Sequence, residues 1–336
     1  MTCILSICIP SYNRADMLRA TIESILKQAV EGVEIVVSDN ASTDNTHDVM
    51  RDLAQRYPQI RYFRSDVNVG ADRNFLKVVE LAEGRYVWLM GSDDMVAPGG
   101  VAQVLSALEN HPELPGFSVN RQMYDVSMSR PQSDLDIFPP QGQCVRAHES
   151  AQSAINELGI YLSFISGQVF NREAWRRYAN EADIAKYYNG LVHLYPLYSL
   201  IRDADTWGAI VSPIVYCRGD NDSFLSAGHF KRFEIDVIGF SRAAAGVFGQ
   251  SHAIYRQLMR NVLRSLLVNR IISFKLSRVR GIYLKSFAAA LPVCWRYARF
   301  WSVFVPALLM PASLLHKALR LRRYGKPIPT INHLES

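Results

Sequence analysis

Asp93 and Asp94 stand side by side where an apolar run stops, in WLMGSDDMVAP (residues 88–98). Two adjacent carboxylates at the edge of a core lose hydration and repel each other, so a positive group is expected beside them. Carboxylate oxygens suit a hard divalent cation, Mg2+ or Mn2+, which takes one or two side chains and shares its remaining coordination with substrate phosphates. The plainer alternative is a strand-end turn whose aspartates cap the next helix. Two other phosphate chemistries are disfavoured. The chain has neither the GxxxxGK[ST] loop of a nucleoside triphosphatase nor a GxGxxG after its first apolar run, as a dinucleotide-dependent oxidoreductase would have.

The elements that must position this pair repeat one pattern. ILSICIPSY (4–12), VEIVVSDNAS (33–42), IRYFRS (60–65) and RYVWLM (85–90) are short apolar runs ending in polar residues, as buried strands do. Between them, residues 14–28 place Leu18, Ile22, Ile25 and Leu26 on one helical face. Residues 42–57 open with capping residues and continue as a helix, and NVGADRNFLKVVELAEG (68–84) is a loop entering a third. The alternation predicts an α/β fold with a largely parallel central sheet flanked by helices. Ligands of such sheets bind at the carboxyl ends of strands, and SYNR, SDNASTD and GSDD all fall there. That shared edge is where an active site is expected.

Further along, residues 110–150 are rich in Pro, Gln, Ser and Asp and read as a loop or short hairpin. SFISGQVFNREAW (163–175) reads as a strand turning into a helix, and VSPIVYCRGD (211–220) as a strand ending in a polar loop. From 254 to 272 the pattern is amphipathic, with Arg256, Arg260 and Arg264 opposite Leu258, Met259, Val262, Leu263, Leu266 and Leu267. Residues 300–315 carry no charge but are interrupted by Pro306 and Pro311, and they fall short of the roughly 20 residues of a membrane span. Followed by HKALRLRRYGK (316–326), they read as an interfacial segment with a basic collar.

Charge divides the chain in the same place. Residues 251–336 hold 15 Lys/Arg against one acid, Glu335, a net +14, while residues 1–250 hold 22 basic and 30 acidic side chains, a net −8. Two domains are expected: a catalytic α/β domain over 1–230 and a basic helical region over 231–336 that meets an anionic membrane surface. Nucleic acid is the weaker partner for that tail, because an uncharged aromatic stretch suits lipid better than phosphate alone. The 49% apolar and 20% charged content excludes a disordered chain. Five scattered cysteines without a CxxC pair exclude a disulfide or zinc framework and point to reduced thiols. MTCILSICIPSYNR lacks a basic leader and cleavage site, so a cytoplasmic protein, peripheral on the inner face of the plasma membrane, is expected.

SICIPSYNRADMLRATIESILKQ, VEIVVSDNASTDNT, NVG and GRYVWLMGSDD, in this order, resemble family 2 glycosyltransferases of GT-A fold over roughly residues 3–105. Within that family the chain is most similar to abequosyltransferase-like enzymes of bacterial surface-polysaccharide (O-antigen) synthesis. The resemblance implies transfer of a sugar, with inversion, from a nucleotide-diphosphate donor to a hydroxyl of a lipid-linked oligosaccharide. It implies donor contacts from Pro10, Tyr12, Asn13, Arg14, Asp39 (to the base), Asn40, Gly70, Arg73, Asn74 and Ser92. Ser42 and Asp44 lie in the same loop as Asn40, Asp44 being equally a helix cap. Asp93 matches the last carboxylate of the family's metal-binding DxD, with Asp94 following it. The chain departs from the pattern at Gly91, where the family commonly has the first aspartate. That departure favours the rival reading of a catalytically silent nucleotide-sugar-binding or partner-binding protein.

The family also places an acid about 20 residues after the basic residue of a segment like FNREAW. Counting from Arg172 reaches His193, a competent base near neutral pH, though a packed histidine in an apolar stretch is the bland reading. Asp183 is its nearest acidic rival, and Asp203 and Asp205 are more distant. Gly167 and Gln168 are expected to line the acceptor pocket with Trp175 behind them. Arg218, Asp220 and Asp222 belong to a late loop that either closes over the diphosphate or is simply solvated.

Overall fold

The computed structural model describes residues 3–28, 30–132, 138, 144–276 and 281–314. Three β-α units and a fourth strand open the chain: β1 (Leu5–Ser11), α1 (Ala15–Leu26), β2 (Val33–Asp39), α2 (Thr46–Arg56), β3 (Ile60–Arg64), α3 (Ala71–Glu80) and β4 (Tyr86–Leu89). These strands are mutually parallel in the order β3-β2-β1-β4. Side chains alternate across the sheet, as strand geometry requires. Leu5, Ile7 and Ile9 of β1 join Ile35 and Val37 of β2 in one core cluster with α1 and α2, whereas Cys8 and Val36 enter the cluster on the opposite face.

Beyond β4 the sheet becomes mixed. β5 (Met95–Val96) and α4 (Gly100–Asn110) lead to β6 (Gly116–Tyr124) and β7 (Val145–His148), so part of the stretch expected as loop or hairpin supplies strands. Residues 133–137 and 139–143 of that stretch lie outside the described residues. After α5 (Ala151–Leu158), β8 (Gln168–Asn171) runs antiparallel to both β4 and β6. The chain continues through α6 (Arg172–Arg176), α7 (Glu181–Ile184) and α8 (Leu194–Ala204) into β9 (Trp207–Arg218). β9 is parallel to β6 and antiparallel to β7 and β5.

The remaining described chain is helical: α9 (His229–Phe248), α10 (Ala253–Val262), α11 (Val268–Leu276), α12 (Tyr283–Cys294) and α13 (Val305–Leu309). Leu263–Leu267 bridges α10 and α11 as a π-helical turn, so the amphipathic pattern over 254–272 runs through a continuous helical segment. Its apolar side is buried, and Arg256, Arg260 and Arg264 are exposed. The boundary expected near residue 230 does not separate two cores. Phe233 and Phe240 of α9, Leu258 of α10 and Phe300 and Phe304 share one cluster with Val87 of β4 and Phe170 of β8. No helix among the described residues is long and apolar enough to cross a membrane, and the HKALRLRRYGK collar lies wholly outside them.

Candidate active site

Two arginines from distant parts of the chain meet the acidic pair, Arg14 as an ion pair with Asp93 and Arg218 through main-chain contacts. Arg14, just before α1, donates from Nη1 to Asp93 Oδ2 at 2.9 Å. Arg218, at the end of β9, donates from Nε to the Asp93 carbonyl at 3.0 Å and from its backbone N–H to Asp94 Oδ1 at 3.0 Å. Asn221 Nδ2 adds a fourth donor, to Asp93 Oδ2 at 2.6 Å. The two carboxylates are therefore unequal. The Asp93 side chain keeps 23% of its surface exposed. Asp94 is buried, with Oδ2 accepting from Ser166 Oγ and its carbonyl accepting from Thr21 Oγ1 at 2.7 Å. Burial, and then the charge of Asp93, push the Asp94 carboxyl well above the usual carboxylate range.

This inequality revises the expectation that both aspartates face a cation. Both oxygens of Asp94 are engaged by protein donors, so it braces the loop, and Asp93 alone presents a carboxylate outward. Among the described residues no three His, Cys, Asp or Glu side chains converge as a metal-binding group. Such a donor set does not make an all-protein cage. It does fit Mg2+ or Mn2+ of the kind completed by substrate phosphates, for which one or two carboxylates suffice.

Gly91 has a local explanation. A Cβ there would lie 2.8 Å from Asp93 Oδ1, 3.1 Å from Ser166 Oγ and 3.3 Å from Asp94 Oδ2. Ser166 fills the space, accepting from the Gly91 N–H at 2.8 Å while donating to Asp94. Where the family pattern has a carboxylate, this chain has a hydroxyl brought in from before β8.

The loops after β1 and β2 are fastened to one another. Asn13 adopts left-handed φ of 52°; its N–H donates to Ser42 Oγ at 2.9 Å and its Oδ1 accepts from Thr43 N–H at 2.7 Å. Asp44 accepts from the N–H of Thr46 at 3.0 Å and of Ala15 at 3.3 Å, so it caps the starts of two helices. Although partial burial opposes ionisation, the Thr46 hydroxyl together with those N–H groups leaves its pKa lowered. Asp39 is fully buried and accepts from Ser42 N–H at 2.9 Å and Tyr62 OH at 2.7 Å, with Arg64 Nε at 3.6 Å. Burial and then the Asp39 bond push the Tyr62 hydroxyl upward. Asn40 bonds Asn68 and the Val69 N–H, which carries the β2 loop to Gly70, itself at φ 86°.

Other expected donor residues divide by exposure. Tyr12 and Arg73 are exposed, and Arg73 lies over the Tyr188 ring at 5.6 Å. Pro10, Asn74 and Ser92 are buried. Asn74 ties α3 to the strand ends, accepting from Ser38 Oγ at 2.7 Å and donating to the Ser38 carbonyl at 3.0 Å. It shapes the floor and does not face solvent.

On the other side of the sheet, burial revises two more expectations. Gln168 is fully buried. Its Oε1 accepts from Ser118 Oγ at 3.1 Å, and its Nε2 donates to the carbonyls of Phe164 at 3.0 Å and Tyr161 at 3.3 Å. Gly167 is also buried, and a Cβ on it would meet Tyr161 Oη at 2.9 Å. Trp175 is stacked on Phe170 in the core. His193 is 1% exposed and packs edge-on against Phe75. Neither ring nitrogen has a hydrogen-bond partner, and burial lowers its pKa to about 4 against the pull of the Ser163 and Leu162 backbone. It is a packed neutral imidazole without a route to a substrate proton. Asp203 is held by Arg202 at 2.6 Å and Asp205 caps the Ala151 N–H at 2.8 Å, so both are structural. Among the described residues, Asp183 alone of these candidates stands exposed without a structural bond of that kind, on α7, whose Ile184 packs with Phe75 of α3.

Sequence reasoning missed Ser166, Tyr62 and Asn221. Ser166 lies 72 residues from Asp94 and Asn221 lies 128 from Asp93, so no local pattern marks them. Their nearest sequence signal was proximity: Ser166 precedes the Gly167–Gln168 pair, and Asn221 lies between Asp220 and Asp222 in the late loop.

Comparison with known proteins gives the family and the fold. Residues 6–146 match the model of Glycosyl transferase family 2. The abequosyltransferase RfbV of Salmonella typhimurium is 31% identical over 269 residues, which is 75% of this chain and 78% of that protein. The crystal structure of Staphylococcus aureus TarS 1–349 in complex with UDP-GlcNAc superposes with TM-score 0.60 at 16% identity, covering 94% of this chain and 87% of that one. The mannosyltransferase PcManGT of Pyrobaculum calidifontis, in complex with GDP-Man and Mn2+, gives TM-score 0.51 at 16% identity, covering 96% and 88%. The fold is GT-A, and the chain belongs to glycosyl transferase family 2.

Proposed function

We propose that this glycosyltransferase moves a sugar from a nucleoside-diphosphate donor to a hydroxyl of a lipid-linked saccharide during bacterial surface-polysaccharide synthesis, with inversion. The observation that carries the reading is the convergence on Asp93: the loop after β1 through Arg14, the end of β9 through Arg218, and Asn221 beyond it. The similarity to an abequosyltransferase supports the class of product. Mg2+ or Mn2+ bound at Asp93 would neutralise charge on the leaving diphosphate. The protein's own part is to hold Asp93 in one rotamer and to offer Arg14 and Arg218 nearby as further positive charge. Asp183, exposed where His193 is not, is the better side chain to accept the acceptor hydroxyl's proton.

The same proposal places the protein peripherally on the inner face of the membrane. Leu284, Trp295, Trp301, Leu309 and Leu314 are exposed on α12, α13 and their flanks, beside the exposed cations Lys285, Arg296 and Arg299. Apolar and aromatic side chains interleaved with cations suit an anionic lipid interface, each cation adding about 1 kcal/mol near the surface.

Donor hydrolysis across a panel of nucleotide-sugars, with and without Mn2+, tests the chemistry. Turnover of one donor that requires Mn2+ is expected; binding without turnover of any donor, with or without acceptor, would favour the catalytically silent reading that Gly91 suggests. Co-sedimentation with anionic but not neutral liposomes tests the docking, and a protein indifferent to both would remove it.

A further inference from the structure

Residues 218–222 leave the end of β9 and pass between the acidic pair and the helical layer, bonded to both. On one side are the three donors to Asp93 and Asp94 from Arg218 and Asn221. On the other, Asp222 Oδ2 accepts from Arg232 Nε of α9 at 2.7 Å and from Arg270 Nη2 of α11 at 3.4 Å. The same two arginines hold Asp236 of α9, which is buried: Arg270 Nε lies 2.9 Å from its Oδ2, and Arg232 Nη1 donates to its Oδ1. Two carboxylates and two guanidiniums balance in a largely shielded space, where loss of one member leaves another charge uncompensated. Left-handed backbone turns the chain at Asp220 (φ 54°), in the middle of the segment, and positive φ recurs at Gly228 (φ 94°), just before α9. Asp222 Oδ1 accepts from the Phe224 N–H at 3.1 Å, and the Phe224 ring would lie 3.0 Å from a Cβ at Gly190, whose N–H donates to Asp72 of α3 at 2.7 Å.

We propose that residues 218–222 form a strap in which Asn221 is a positioning residue for Asp93, and that Arg270 sets the strap through Asp222. Helices α9 and α11, which pack against the α12 and α13 that carry the lipid-suited surface, are thereby joined to the acidic pair through one carboxylate. Asn221 and Arg14 share one oxygen of Asp93, which fixes the side chain's rotation and directs Oδ1 away from both. Without Asn221 the carboxylate keeps its charge and loses its aim. The inference deepens the proposed function and rests on reading Asp93 as the carboxylate that meets the donor diphosphate.

Hydrogen exchange on the full-length protein, compared for wild type, Arg270→Gln, Arg270→Lys and Asn221→Ala, reads the strap without any ligand. Arg270→Gln is expected to speed exchange over residues 219–224 by about tenfold while leaving β1–β4 unchanged, with Arg270→Lys in between. Mn2+ binding by paramagnetic resonance in the presence of UDP, GDP, CDP or dTDP reads the aim of Asp93. Asn221→Ala and Arg270→Gln are each expected to weaken it about five- to tenfold, and the double variant no more than either alone, because both act on one contact. Unchanged exchange over 219–224 in Arg270→Gln, or multiplied effects in the double variant, would overturn the proposal. Wild type that binds neither Mn2+ nor nucleotide would instead count against the reading of Asp93, and the exchange comparison would still decide the strap.

Discussion

The parallel half of the sheet and the mixed half treat polar side chains in opposite ways. In β1, β2 and β4 the chain stays largely apolar until the strand ends, and the polar groups then fasten one loop to the next, as Asn13 does with Ser42 and Arg14 with Asp93. In the mixed half, polar groups are spent inside. Gln168 is buried among Ser118 and two carbonyls, and Ser118 also accepts from Trp207 Nε1 at 3.1 Å. Strand direction explains the difference. β8 runs against β4 with Gln168 opposite Leu89, so the residues before β8, not those after it, reach the acidic pair. A polar residue at a strand end is a site candidate only when the strand points toward the shared edge.

That contrast can be broken most directly at Asp93. Asp93→Ala is expected to lower kcat/KM roughly 10²- to 10³-fold, the scale of losing an electrostatic stabiliser of developing charge, in a steady-state transfer assay; full activity would detach the parallel edge from the chemistry. Gly91→Asp comes next. Restoring the family's carboxylate forces it among three oxygens, with overpacking that costs about 1–3 kcal/mol, so a lower melting temperature and weaker transfer are expected in place of improved metal affinity. Tyr62→Phe removes one bond to buried Asp39 and is expected to cost about 1 kcal/mol of stability, measured by denaturant unfolding, with KM for the donor rising more than kcat falls. The smallest effect on transfer is expected at His193. His193→Leu should leave kcat within about twofold, whereas loss of a true general base lowers it roughly 10²- to 10⁴-fold.

His193 should nevertheless mark the stability profile. Its folded pKa of about 4 lies below the ordinary value of 6.5, so between those values the unfolded chain binds a proton that the folded one refuses. Stability therefore rises with pH across that window and falls as pH drops from about 6.5 toward 4, by roughly 3 kcal/mol at most. Urea unfolding at pH 7 and pH 5 should show the difference in wild type, and His193→Leu should flatten it.

The β-α rhythm through β4 was legible because buried parallel strands are written as uninterrupted apolar runs and because their polar ends fall at one edge. Asp93 and Arg14 were legible for that reason. Asp94 was legible as an acid but not as a brace, since its burial depends on Ser166 and Arg218 arriving from far along the chain. Gln168 and His193 show the converse. A buried amide with a full set of partners and a buried imidazole with none look alike in sequence, and only packing separates them. The boundary near residue 230 followed charge and composition, which report the outer surface of the helices and not the core they share with the sheet.

Asp44 carries a consequence for how the molecule assembles. One carboxylate serves the first turns of α1 and α2, whose capped amides, Ala15 and Thr46, are 31 positions apart. The start of α2 is capped from two residues upstream, but the Ala15 N–H of α1 reaches the same carboxylate only after β1 and β2 lie side by side. The Ala15 amide is thus the reporter of that docking event, and it should become protected no earlier than the Thr46 amide during refolding, before any sugar or nucleotide is present.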